Sequence, residues 1–343
     1  MSISKPEVTH NAGTFLFSWE QEGIKARLDR IHEDSRHDVK GELLVKYAST
    51  WDIPGAGHLY LNRISLLSAT SKRTTVKALE EQHDLDWVMV LEAISHHVLR
   101  ILREGEPAVA LGDVAIPERI KYRIEPLLTD GEPNLLFGEG GIGKSYLADY
   151  LSMIVSEGIL ENGLIPEPGP VLYLDYETSA VATARRFKAL HAGWGIESPP
   201  TVMYRYCYQS LATEVQELQR IVVNNGIQMV IVDSAGPACG GEPESAQAAI
   251  QFFAALRSLR VTTLTIAHKA KHSAVGPFGS VYWVNHPRNI YEIRKSQEQD
   301  NDTINLGLFH RKVNDGRLLK PMGFKFTFAD STVTVSTQRV EDV

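Results

Sequence analysis

The chain has 343 residues, of which 42 are acidic and 35 are basic, so its formal net charge is −7. This length predicts two folded units, and the negative charge excludes a surface that is basic overall. Its two cysteines, Cys207 and Cys239, are too few for a disulfide framework or a four-cysteine zinc site. The sequence has neither a membrane-spanning apolar run nor a signal-peptide pattern, so we expect a cytoplasmic protein without a membrane partner.

The first predicted unit, residues 1–112, is a small α+β domain to which the sequence assigns no role. Strands are predicted at residues 42–47 and 58–67. A helix is predicted near 72–82, and apolar residues at three- and four-residue spacing predict a longer one over 86–103.

The second predicted unit, residues 113–343, alternates continuously apolar strands with helices, a pattern typical of a buried parallel sheet. Strands are predicted at 134–137, 171–175, 202–207, 229–233 and 261–267, and helices at 145–157, 179–191, 214–225 and 244–259. Beyond residue 288 the helical pattern stops, and antiparallel strands are predicted at 304–309, 324–328 and 333–336. The predicted fold class is α/β, with a mostly parallel sheet and antiparallel C-terminal strands.

The sharpest motif is GEGGIGKS at residues 138–145, which matches the phosphate-loop pattern G-x-x-x-x-G-K-[ST] in full. It follows a predicted strand and begins a predicted helix, where backbone N–H groups and the helix dipole attract phosphate. Lys144 is predicted to neutralise phosphate charge, and the Ser145 hydroxyl to ligate Mg²⁺. The residues predicted to bind ATP are Gly138, Gly140, Gly141, Ile142, Gly143, Lys144, Ser145 and Tyr146.

The same stretch also satisfies the dinucleotide-binding pattern G-x-G-x-x-G through Gly138, Gly140 and Gly143. That pattern alone is weakly specific. Lys144 and Ser145 favour the phosphate loop, because a dinucleotide fold has no use for an ammonium and a hydroxyl group at those positions.

Acidic residues near strand ends complete the predicted site. Asp233 ends the apolar strand 229–233 and is predicted to support Mg²⁺ together with Ser145. Strand alternation places Asp175 and Glu177 on one side of the sheet, at the edge where ligands of α/β proteins bind. Glu177 is predicted to orient or deprotonate the attacking water; the alternative is that one or both residues only cap the following helix.

A phosphate loop followed by strands that end in Asp-x-Glu, Asp and His resembles the core of the RecA-like ATPases. Within that family the chain most resembles the hexameric replicative helicases of plasmids and phages, including the DnaB-like group. The resemblance covers about residues 115–330, and the N-terminal third departs from it. It implies that Glu177 activates water, that Asp233 supports Mg²⁺ and that His268 senses the γ-phosphate.

The resemblance also implies that basic residues complete the site of a neighbouring subunit. Arg288, which follows Gly279 and Ser280, resembles an arginine finger, and Arg311 and Lys312 resemble a second basic element used in this way. Such cations stabilise charge in the transition state of phosphoryl transfer. A homo-oligomer of six copies is therefore expected.

The resemblance further implies that loops at residues 234–247 and 269–278 hold single-stranded DNA. In the second loop Lys269, Lys271 and His272 are predicted to contact phosphates, and Phe278 to stack on a base. The alternative for these lysines is an exposed turn that binds nothing.

These expectations predict a ring-forming, ATP-hydrolysing motor on single-stranded DNA, a helicase or translocase of replication or recombination. A nucleotide-regulated recombination mediator, or a regulatory ATPase that unwinds nothing, is the alternative. A small-molecule kinase is disfavoured, because the sequence shows no arginine-rich lid and no acceptor site.

Overall fold

The computed structural model describes residues 3–11, 13–105, 108–269, 276–297 and 301–340. None of the helices in these ranges is long and apolar enough to cross a membrane. The chain divides into two compact units, Met1–Ile116 and Pro117–Val343, whereas the sequence placed the boundary after residue 112.

The first unit is an antiparallel sheet whose strands pair in chain order, with helices packed against it. Its elements are β1 Glu7–Asn11, β2 Thr14–Trp19, β3 Ile24–Glu33, β4 Val39–Tyr47, β5 His58–Ser65, α1 Ala69–Glu80 and α2 Trp87–Glu104. Ser68 and Asp86 cap the two helices by accepting hydrogen bonds from backbone N–H groups of the first turn. Strands β4 and β5 and both helices confirm the predicted elements, and β1 to β3 were not predicted.

The second unit carries the phosphate-loop motif. Its strands are β6 Tyr122–Glu125, β7 Leu128–Thr129, β8 Pro133–Gly138, β9 Ile165–Pro166, β10 Val171–Asp175, β11 Met203–Tyr206, β12 Met229–Asp233, β13 Thr262–His268, β14 Asn289–Ser296, β15 Thr303–Val313, β16 Met322–Ala329 and β17 Thr332–Gln338. Its helices are α3 Lys144–Glu157, α4 Ala180–Gly193, α5 Leu211–Asn224, α6 Ala235–Ala238, α7 Ala246–Ser258 and α8 Tyr282–Asn285.

Within the described residues, nine of these strands form one sheet in the order β11-β10-β12-β13-β8-β14-β15-β16-β17. The first six of that order run parallel, and the last three continue the sheet in antiparallel fashion. The predicted α/β fold class, a mostly parallel sheet followed by antiparallel C-terminal strands, is confirmed. Strand β14 is an addition that the sequence did not predict.

Buried apolar side chains cover both faces of the parallel part, with α3 and α4 on one face and α5 and α7 on the other. The parallel strands end at a common edge: Asp175 pairs with Asp233, and His268 pairs with Gly138. The sequence-predicted polar residues are therefore brought together at this edge, as expected for parallel strands.

Candidate nucleotide-binding site

The phosphate loop connects the end of β8 to the first turn of α3. Gly143 lies at the helix N-cap with φ 94°, a left-handed conformation that favours glycine. A Cβ on Gly138 would collide with the Ile142 side chain and lie 2.8 Å from the Ile293 carbonyl oxygen. The loop is thus folded tightly enough to require glycine at both positions, and it directs the α3 N-terminus toward the sheet edge.

Lys144 is 6% exposed, and its ammonium group folds back onto the loop. Its Nζ donates to the carbonyl oxygens of Gly138 at 3.2 Å and Glu139 at 2.5 Å. Burial lowers the pKa of Lys144, and the nearby Asp233 and Glu177 carboxylates oppose that shift. A buried ammonium held only by carbonyl groups is a strong attractor for phosphate oxygens.

Asp233 is buried at the end of β12 and faces the Ser145 hydroxyl. The Tyr173 hydroxyl of the neighbouring strand donates to its Oδ2 at 2.7 Å. Burial raises the pKa of Asp233, and the bonds from Tyr173 and Ser145 oppose that shift. A hydroxyl and a buried carboxylate are oxygen ligands that suit Mg²⁺, and a divalent cation would stabilise the ionised carboxylate.

The two acids after β10 have different environments. Asp175 is buried and accepts hydrogen bonds from the Glu177 and Thr178 backbone and from the Thr178, Thr183 and Tyr204 hydroxyl groups. Burial raises the pKa of Asp175, but these hydrogen bonds outweigh it and hold the pKa below its usual value. Asp175 therefore fastens the connection between β10 and α4, whereas the side chain that caps α4 is that of Ser179, which accepts a hydrogen bond from the Ala182 backbone N–H.

Glu177 instead leaves its carboxylate 42% exposed in the cleft. Its Oε1 accepts a short hydrogen bond from the Ser234 hydroxyl and lies 3.9 Å from Nε2 of His268. Half-exposed and aimed at the phosphate-loop side, this carboxylate has the accessibility that a general base needs.

Arg186 is a functional candidate that the sequence analysis missed. It lies on α4, lines the same cleft and is 15% exposed. Its Nε donates at 2.6 Å to Oδ2 of Asp149, a fully buried carboxylate on α3. Burial raises the pKa of Asp149 and the ion pair with Arg186 opposes that shift. The pair fixes a cation beside Asp233, and its members are too far apart in sequence for a local pattern to reveal it.

Together these side chains line a cavity of about 310 Å³. It is bordered by Gly141, Ile142, Gly143, Lys144, Ser145, Tyr146, Glu177, Arg186, Asp233, Ser234, Ile266, His268 and Ile304. Every predicted catalytic residue except Arg288 borders it, and so do the predicted metal ligands. Among the predicted loop residues, Gly138 and Gly140 shape the turn without lining the cavity.

Comparison with known proteins agrees with this geometry. A family model described as AAA domain matches residues 102–274, just over half of the chain. The chain belongs to the AAA domain family. It is a P-loop ATPase, and that membership implies that it binds nucleotide.

Other comparisons add less. No curated protein matches the chain. Among solved structures, the chain is similar to a KaiC-like protein of the hyperthermophilic archaeon Pyrococcus horikoshii OT3 at 16% identity. The match covers 64% of this chain and 99% of that protein, with a TM-score of 0.46.

The basic residues predicted to act on a neighbouring subunit lie outside the cleft of this ATPase. Arg288 precedes β14 at the opposite end of the sheet, where it pairs with Glu132 at 3.3 Å and Asp315 at 3.9 Å. Arg311 contacts the buried Glu292, and Lys312 donates to the carbonyl oxygens of Val284, Asn285 and Pro287. Arg288 is too distant to serve its own phosphate loop.

The structure describes only some of the residues that were predicted to contact DNA. Lys269 pairs with Glu292 at 2.7 Å and keeps a 21% exposed side chain. Phe278 is 40% exposed, and its backbone N–H donates to the His268 carbonyl oxygen at 2.7 Å. Lys271 and His272 lie outside the described residues.

A larger cavity of about 480 Å³ lies in the N-terminal unit. Its charged lining residues are Glu7, Glu20 and Lys25. The negative balance of these groups disfavours phosphate, so the cleft at the phosphate loop is the candidate nucleotide site.

Proposed function

We propose that this ATPase hydrolyses Mg²⁺-bound ATP in a ring of six identical subunits, and that hydrolysis drives movement along single-stranded DNA. The observation that carries the hydrolytic part is the half-exposed Glu177 carboxylate facing the Lys144–Ser145–Asp233 group across one cleft. A kinase would shield its phosphate from water, whereas this carboxylate is open to it.

In this proposal Lys144 leaves its two carbonyl partners and binds the β- and γ-phosphates. Ser145 and Asp233 hold Mg²⁺, which supplies charge neutralisation at the phosphates. Tyr173 keeps the Asp233 carboxylate oriented through its hydrogen bond. Partners of this type commonly tune how well a carboxylate binds a metal.

Glu177 then orients the attacking water and accepts its proton. The Ser234 hydroxyl donates to Oε1 of this carboxylate, and His268 lies 3.9 Å from the same oxygen. Asp175 accepts a hydrogen bond from the Glu177 backbone N–H at 2.9 Å. Arg186, fixed by Asp149, places a positive charge at the side of the cleft where negative charge develops on the phosphate.

Cations from the neighbouring subunit complete the site in this proposal. Arg288 lies at the opposite end of the sheet from its own cleft, so it can act only on another copy of the chain. Its 43% exposed side chain is accessible for such a contact. An isolated subunit is then expected to hydrolyse ATP slowly.

One observation favours the alternative, a regulatory ATPase that does not move along DNA. Lys269, the predicted phosphate contact that the structure describes, is neutralised by the buried Glu292. If Lys269 does not bind DNA, the proposed nucleotide site is unaffected. Nucleotide would then control only the assembly of the subunits.

The deciding experiment measures ATP hydrolysis with and without single-stranded DNA at low salt, where phosphate contacts are strongest. Molecular mass in solution is measured in parallel with and without nucleotide. The motor predicts DNA-stimulated hydrolysis by a six-subunit particle. Hydrolysis that is indifferent to DNA would support the regulatory ATPase, and a particle that stays monomeric would refute the ring.

A further inference from the structure

The buried carboxylate of Glu292 on β14 forms ion pairs with three basic side chains. Glu292 is 1% exposed and pairs with Lys269 at 2.7 Å, with Arg311 at 2.5 Å and with Arg294 at 3.4 Å. Each of these cations is only partly exposed or half-exposed; Lys269 contacts Oε1 of the carboxylate, and the two arginines contact Oε2. Removing this negative charge would leave three positive groups in close contact without a common partner.

The three cations connect different parts of the sheet edge. Lys269 directly follows His268 at the end of β13, and its backbone N–H donates to the carbonyl oxygen of Gly138 at 2.9 Å. Arg294 and Arg311 lie on β14 and β15 and stack on the Phe309 ring at 4.7 and 5.1 Å. Glu292 therefore ties the end of β13, beside the nucleotide cleft, to a rigid arginine pair on two adjacent strands.

Main-chain contacts also hold the end of β13, where His268 pairs with Gly138 of β8. Lys269 forms a single bridge with Pro277, and the Phe278 backbone N–H donates to the His268 carbonyl oxygen. The described side-chain contact that fixes Lys269 is the one with Glu292. Glu292 therefore adds a side-chain contact to the residue that follows His268, whose imidazole lies 3.9 Å from Glu177.

We infer that Glu292 is a positioning residue for ATP hydrolysis, which acts through Lys269 to hold His268 against Glu177. Glu292 does not touch the nucleotide cleft itself, so it affects the chemical step and not the binding of nucleotide. The inference rests on the proposed roles of Glu177 and His268.

The test compares Glu292→Gln, Lys269→Met and the double variant with the wild-type protein. Misplacing a reacting group by about 1 Å can cost about 10²-fold in rate, and we expect each single variant to lose roughly tenfold in kcat. Dissociation constants for a non-hydrolysable ATP analogue should stay near the wild-type value. The double variant should be no slower than either single variant, because the two residues act as one unit.

Controls separate this role from a general loss of structure. Lys269→Arg should restore most of the rate, because it keeps a cation that can donate to Glu292. Lys325→Met, which removes an exposed lysine from β16, should hydrolyse ATP at the wild-type rate. If Glu292→Gln does not fold, Lys269→Met decides the question by itself.

The inference is overturned by an unchanged kcat in Lys269→Met, or by losses in the double variant that multiply those of the single variants. A weaker affinity for the analogue at unchanged kcat would also overturn it. A different result would refute the proposed function: hydrolysis of ATP by Glu177→Gln at the wild-type rate. That result is independent of the rate measured for Glu292→Gln.

Discussion

The Tyr173 hydroxyl donates a 2.7 Å hydrogen bond to Oδ2 of Asp233, and both groups are buried between neighbouring parallel strands. The bond occupies one carboxylate oxygen and fixes the rotation of the group. The same carboxylate also contacts the Ser145 hydroxyl and borders the cleft. Two adjacent strands thus prepare the orientation of the proposed metal ligand before any nucleotide arrives.

Tyr173→Phe should therefore lower the affinity for Mg²⁺ more than the affinity for nucleotide. Loss of a partner that orients a metal ligand typically costs about 10–100-fold in metal affinity or activity. Titrating ATP hydrolysis with Mg²⁺ should show a half-saturating concentration raised by roughly tenfold. An unchanged Mg²⁺ requirement would mean that Tyr173 does not orient Asp233 for the metal.

The two acids after β10 should respond differently to neutral substitution. Glu177→Gln should lower kcat by about 10²–10⁴-fold, the usual contribution of general base catalysis, without changing the melting temperature. Asp175→Asn should instead destabilise the fold, since an unsatisfied buried hydrogen-bonding group costs about 1–3 kcal/mol. Thermal unfolding and single-turnover hydrolysis of both variants test this. If both folded variants lost the same factor in rate, Glu177 would not be distinguished from Asp175 as the general base.

The strands and motifs with uniform patterns could be predicted from the sequence. Strands β8, β10, β12 and β13 are buried along nearly their whole length and rich in apolar residues because helices cover both faces, and the phosphate loop has a strict spacing. Strand β14 was missed because Glu292 and Arg294 interrupt its apolar residues, and the closest ion pairs of the buried Glu292 are with Lys269 and Arg311, which lie elsewhere in the chain. A pattern within a short stretch of sequence cannot reveal partners that lie in distant parts of the chain.

The same limit applies to the candidate site. Lys144, Ser145, Glu177, Asp233 and His268 were predicted because each stands at a fixed place in a motif or at a strand end. Arg186 was not, because its position in the cleft depends on the packing of α4 against α3 and on an ion pair with Asp149. The hydrogen-bond donors that surround Asp175 come from three different elements and become visible only in the folded structure.

Substitution of Arg186 should separate stability from activity. Arg186→Met leaves Asp149 buried without its partner, and breaking a buried ion pair typically costs about 3–5 kcal/mol. Adding Asp149→Leu removes the stranded charge and should recover much of the stability. ATP hydrolysis should stay low in the double variant, because the cation in the cleft is still missing. Recovery of both properties would assign Arg186 a purely structural role.

The Glu292 cluster should also give a distinctive pH dependence. Burial raises the pKa of Glu292, but hydrogen bonds from Lys269 and Arg311 and the charge of Arg294 hold it below its ordinary value of 4.5. A depressed carboxyl pKa stabilises the fold above the unfolded-state pKa, and this stabilisation is lost as pH falls through the folded-state pKa.

Melting temperatures of the wild type and Glu292→Gln should thus differ most near neutral pH. The gap should be several degrees there, since hydrogen bonds to charged groups contribute about 1.5–3 kcal/mol each and 1 kcal/mol corresponds to about 2–4 °C in a domain of this size. It should shrink as the pH is lowered below about 4.5. A gap that is constant with pH would show that the charge of Glu292 does not matter.

The most direct test of the central claim is phosphate release from Mg²⁺-bound ATP by the wild-type protein and by Lys144→Ala. Lys144 is the buried cation of the phosphate loop, and its removal should abolish the neutralisation of the transferring phosphate. We predict steady hydrolysis by the wild type and none above background by the folded variant. Wild-type turnover in Lys144→Ala would contradict the assignment of this cleft as the site of ATP hydrolysis.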